Sequence, residues 1–118
     1  ILMNVEKIYT PEHDENAMEF IHRVIIAQPD CEPLRIVEQL VEIAVAELKG
    51  RPYDISAKAS TQRMVVTLRH HGKPIDERMV WVMGDHTDHV DYHPNDTDDG
   101  WVLTIYRDIP PLFVTRRY

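Results

Sequence analysis

The chain has one cysteine, four glycines and no long hydrophobic run, and each shortage narrows what it can be. A single thiol, Cys31, cannot form an internal disulfide, so the expected compartment is a reducing cytoplasm. No apolar stretch approaches the roughly 18–20 residues of a membrane-spanning helix, so no membrane partner is expected. Four glycines in 118 residues leave little material for a phosphate cradle of backbone amides. Cations are in the minority, with 13 Lys and Arg against 20 Asp and Glu and a formal net charge of −7. Such a surface repels phosphate backbones, which argues against nucleic acid as a partner. The opening ILMNVEKIYT has neither a basic n-region nor a small-residue cleavage site, so it reads as a first strand rather than a secretory signal. Nucleophiles are poorly placed: Ser56 and Ser60 have no Gly-x-Ser-x-Gly elbow, and Cys31 in PDCEP has no neighbouring His.

What is present suffices for one domain. Hydrophobic residues make up 43% of the chain, and the pattern predicts a core over 3–109 with a tail over 110–118. Val5 and Ile8 are offered to a core by a first strand. Thr10-Pro11 is a cap signal followed by a first-turn proline, and Met18, Ile21 and Ile25 recur at helical spacing, so a helix is expected from Pro11 to Ala27. A second runs from Pro33 to Lys49 with a wide apolar face, and Gly50 and Pro52 stop it. From Tyr53 the period changes to two, through Ile55, Ala57 and Ala59 and then Met64, Val66 and Leu68, which predicts a hairpin. Ile75, Met79, Val82 and Met83 return to helical spacing. Val90 and Tyr92 then alternate with His89, Asp91 and His93, and WVLTIYR pairs back. This order predicts an α+β fold: a two-layer sandwich of a mixed, mostly antiparallel sheet with helices on one face.

Three segments carry a resemblance. RIVEQLVEIAVAELKG, MVVTLRHHGKPID and MVWVMGDHTDHVDYHPNDTDDGWVLTIYRDI together resemble the histidine-kinase-like ATPase fold, and within it the small anti-sigma-factor serine kinases of bacterial partner-switching pathways. The resemblance spans roughly Met3 to Ile109. It implies an ATP and magnesium site, with a base at Glu42, a magnesium-holding position four residues on, and an adenine-reading position two before the loop glycine, Gly72. Here those last two positions are Ala46, or Val45 in the neighbouring alignment, and His70. Neither Ala nor Val supplies the oxygen that magnesium takes. No glycine lies between Gly72 and Gly84 to build a lid. The resemblance therefore implies a degenerate nucleotide site. Without it, Glu42 reads as a charge on the solvent edge of a helix.

The stretch GDHTDHVDYHPNDTDDG, residues 84–100, holds six Asp and three His. His86, His89, Asp91 and His93 form a candidate transition-metal set, the last three on one strand face. The plainer reading is a solvated hairpin, to which Asn95, Asp96, Asp98, Asp99 and Gly100 are all suited. An EF-hand is not matched, because the sixth-position Gly and closing Glu are missing. His70 and His71, adjacent on a strand end, point apart and are read as loop histidines.

The leading expectation is a non-catalytic regulatory protein that binds a protein partner or forms a homodimer, through Met18, Phe20 and Ile21 on the first helix. Trp81 is a second candidate contact. Two alternatives stand beside it: a working magnesium-dependent ATP-binding kinase, and a small metal-binding protein built on the His/Asp-rich hairpin.

Overall fold

The computed structural model describes residues 6–110. The expectations for Val5 and for the tail from residue 111 onward fall outside them. The elements run β1 (Lys7–Tyr9), α1 (Ala17–Ile26), a 3-10 turn (Glu32–Leu34), α2 (Arg35–Leu48), β2 (Tyr53–Ala59), β3 (Arg63–His71), α3 (Glu77–Asp85), β4 (His89–Pro94) and β5 (Gly100–Asp108). The strands form one sheet in the order β1-β2-β3-β5-β4, and all four pairings are antiparallel. The fold is the expected α+β sandwich.

Alternation decides which face is covered. Ile55, Ala57 and Ala59 of β2, Met64, Val66, Leu68 and His70 of β3, and Leu103 and Ile105 of β5 are buried. The register lines them up, with Ile55 opposite Leu68 and Leu68 opposite Leu103, so they form one apolar surface under the helices. α1 and α2 close over it with Phe20, Ile21, Val24, Ile25, Val37, Leu40, Val41, Ala44 and Leu48. The opposite face carries rows such as Ser56, Thr67, Thr104 and Asp91, none of them fully buried.

Two boundary expectations are corrected. α1 does not begin after Thr10. Its cap is Asn16, whose side chain accepts from the Glu19 amide at 2.9 Å while Glu19 accepts from the Asn16 amide at 3.1 Å, a complete capping box. Residues 11–15 instead form a turn in which Asp14 takes a positive φ of 65° and Glu15 is gripped by Arg23 at 2.8 Å. Ile8, offered to the core, is 67% exposed; Tyr9 takes the inward position, because a period of two allows one of the neighbours inside and excludes the other. α2 ends as expected: Lys49 (φ 52°) and Gly50 (φ 83°) turn the chain in the left-handed region.

Candidate functional site

The first helix does not offer its apolar face to a partner. Phe20 and Ile21 are fully buried and Met18 packs against the core. Starting the helix at Asn16 places Ala17, Phe20, Ile21, Val24 and Ile25 on the single stripe that faces the sheet and α2. The open surface lies at the other end, beside α3.

α3 fully buries only Met83, and leaves Trp81 66% and Val82 42% exposed. Between it, the C-terminal end of α2 and the edge strand β4 runs a groove of about 1200 Å³. Its apolar wall is Ile75, Val80, Trp81, Val90, Tyr92 and Trp101, and Lys49 and Lys73 stand at its rim with the carboxylates of Glu47, Asp76, Glu77 and Asp91. A large rigid aromatic with a polar edge, exposed beside a groove, is a characteristic recognition element.

Two rings that line the groove, Tyr92 and Trp101, belong to an aromatic stack built by strand register, whose third ring, His70, is buried and does not line it. His70 lies opposite Trp101, so β3 and β5 put both on the helix-covered face, and Tyr92 of β4 joins them. The Tyr92 and Trp101 rings stack at 5.0 Å between centroids, and His70 and Tyr92 at 5.9 Å. The Ile75 amide donates to the Tyr92 hydroxyl at 2.8 Å, which directs the phenol proton to His70 Nε2 at 2.7 Å. His70 Nδ1 then donates to the His71 carbonyl at 3.2 Å. That assignment makes His70 the neutral Nδ1–H tautomer. Burial holds its pKa below the ordinary value, against the opposing effect of the His71 carbonyl. Burial likewise pushes the Tyr92 phenol up.

Arg51 ties the groove's upper rim together. Its guanidinium donates to the carbonyls of Leu48 (3.0 Å), His71 (3.2 Å) and Lys73 (2.7 Å), joining the end of α2 to the loop before α3. Gly72 permits this twice over: it sits at φ 85°, and a Cβ there would come within 3.2 Å of Arg51 Nη1.

The residues singled out for nucleotide chemistry are therefore dispersed or occupied. Glu42 and Ala46 lie exposed on α2 and take no part in lining the groove. His70 is 2% exposed with both ring nitrogens engaged inside the protein, and Gly72 accommodates Arg51.

The metal quartet does not converge. His86 caps the end of α3, His89 pairs with Asp91 at 2.8 Å, and the His93 ring turns back to the Pro94 carbonyl. Among the described residues, the three-residue set whose ligand atoms come together is His71, Asp98 and Asp99 instead. Asp88 binds its own neighbours, accepting from the Asp108 amide at 2.8 Å and facing Arg107 at 3.5 Å. Sequence reasoning missed the roles of Tyr92 and Trp101 in the groove. The available signal was their two-residue spacing from Val90 and Leu103, which places both on the helix side.

No helix among the described residues is long and apolar enough to cross a membrane. Comparison with protein-family models, curated proteins and solved structures found no match.

Proposed function

We propose that this is a regulatory binding domain, a degenerate relative of the anti-sigma-type serine kinases, which recognises a protein partner through the groove beside α3 and performs no phosphoryl transfer. The observation that carries the reading is Trp81, two-thirds exposed at the edge of an aromatic-lined groove. Leaving an indole in water forgoes most of its hydrophobic stabilisation, and covering it with a partner recovers that. The element order supports the kinship. The loss of catalysis is supported by Ala46, which has no ligand atom, and by His70, whose hydrogen-bonding capacity is used internally.

The test has two arms. A photo-crosslinking residue at position 81 is compared in cells with one at Lys58, on the exposed sheet face. Cross-links to one protein, or to a second copy of this chain, concentrated at position 81 are the expected result; labelling equal at both positions sinks the assignment of the groove. Calorimetric titration with ATP and magnesium should give no binding at millimolar nucleotide, whereas micromolar affinity would restore the kinase reading.

A further inference from the structure

We propose that the end of the sheet where β3 meets the β4–β5 hairpin binds a divalent transition-metal ion through His71, Asp98 and Asp99. This inference is independent of the groove and of the kinship with kinases. His71 and the two aspartates come from segments far apart in sequence, and the sheet register joins them, because His71 at the end of β3 lies opposite Gly100 at the start of β5.

One ligand atom from each of the three side chains lies within 4.8 Å of the others. Two donors bound to one ion at about 2.0–2.2 Å are at most about 4.4 Å apart, so small rotations of exposed side chains bring the set into coordination range. The hairpin is held in place for this. Asp98 Oδ1 accepts from the Gly100 amide at 2.7 Å, and His71 Nδ1 faces Asp99 Oδ1 at 3.3 Å. At Gly100 a Cβ would fall 2.8 Å from Asp98 Oδ1 and 3.1 Å from both the His70 carbonyl and His71 Cε1, so a larger residue there would push against the Asp98 carboxylate and the end of β3.

Two further observations point to a cation with open coordination positions. Adjacent carboxylates repel, and among the described residues neither Asp98 nor Asp99 has a Lys or Arg within ion-pair distance. Two of the donors, His71 and Asp98, also line a cleft of about 250 Å³ in whose walls stand Asp54, Asn95 and Arg69, the last without reaching either carboxylate; Asp99 is not part of that wall. The cleft leaves room for the water or small anion that completes the coordination sphere. One imidazole and two carboxylates form a mixed nitrogen and oxygen set suited to zinc, nickel, cobalt or manganese rather than to an all-oxygen calcium site.

The site is tested on the full chain by calorimetric titration with zinc chloride and by the visible spectrum of added cobalt. The expected result is one ion per chain, with His71→Ala and Asp99→Asn each weakening zinc binding roughly tenfold or more, and a His89→Ala/His93→Ala double variant changing it by less than about twofold. Metal-free melting of each variant checks that the fold is intact; Asp99→Asn, which keeps the shape of the side chain, carries the test if His71→Ala melts early. No zinc binding at millimolar metal overturns the proposal. So does affinity unchanged in Asp99→Asn, or affinity lost only in the β4 double variant, which would move the ion to the edge strand.

Discussion

Two helices of nearly equal length meet the same sheet on different terms. α1 buries Ala17, Phe20, Ile21, Val24 and Ile25, an unbroken stripe. α3 fully buries Met83 alone and is held largely from its N-terminal end, by the Asp76 cap, the Tyr92 hydroxyl beneath Ile75 and the Arg51 clamp on the preceding loop. Packing energy is thus concentrated at the α1–α2 end, and polar positioning at the α3 end. A helix set by a few directional bonds can present an indole and a groove that a fully packed helix would have closed.

The largest effect should come from the packed end. Phe20→Ala removes a side chain with no exposed surface from between α2 and the sheet, and should cost about 3–5 kcal/mol, read as a lower urea midpoint. A loss below about 1 kcal/mol would erase the contrast between the two ends. At the polar end, Tyr92→Phe leaves the Ile75 amide and His70 Nε2 without their partner, at a cost of about 1–3 kcal/mol. Amide exchange at Ile75 should quicken more than at Leu40 on α2. Equal acceleration at the two would mean that α3 has no separate anchor.

Acid should distinguish the ends as well. Glu15 is held at about 2, well under its usual 4.5, first by hydrogen bonds from the Arg23 guanidinium and then by the Glu12 amide. A depressed carboxylate contributes stability that is complete above its unfolded value, so this contribution should fade as pH drops from about 4.5 towards 2. His70 has a folded pKa below its ordinary 6.5, chiefly through burial. The folded state therefore prefers the neutral ring, and stability present above 6.5 should decline as pH falls below it, because the unfolded chain takes up the proton first. Urea titrations at stepped pH should show His70→Gln flattening the upper window and Glu15→Gln the lower. If His70→Gln keeps the wild-type slope between pH 7 and 5, the ring is not buried neutral.

Local signals made the element order legible, along with the breadth of α2 and the alternation of β4, since period and turn chemistry act within a few residues. The start of α1 was misread for a physical reason. Thr10-Pro11 and Asn16 are both good caps, and the capping box with Glu19, together with the hold of Arg23 on Glu15, selects the later one. Ile8 and Tyr9 differ by one step of register, and only pairing with β2 decides which faces inward. The candidate sites were the least legible. The density of His and Asp in residues 84–100 drew attention to His86, His89, Asp91 and His93, yet convergence is a property of strand pairing, which brings in His71 from another strand. Likewise nothing local to His70 announces Trp101 opposite it.

The smallest expected stability change bears most directly on the proposed function. Trp81→Ala removes an indole that is already two-thirds in water, so the folding free energy should move by no more than about 0.5 kcal/mol. The same substitution takes away the largest exposed apolar surface beside the groove, and truncating an aromatic anchor of an interface commonly costs about 2 kcal/mol or more of binding, which is roughly a thirtyfold loss of affinity. Measured side by side, an unchanged urea midpoint with a lost position-81 partner separates recognition from folding at one residue. A Trp81→Ala chain that melts like a core variant would instead mean that the indole packs down on the groove in solution, and α3 would then resemble α1 more than it differs from it.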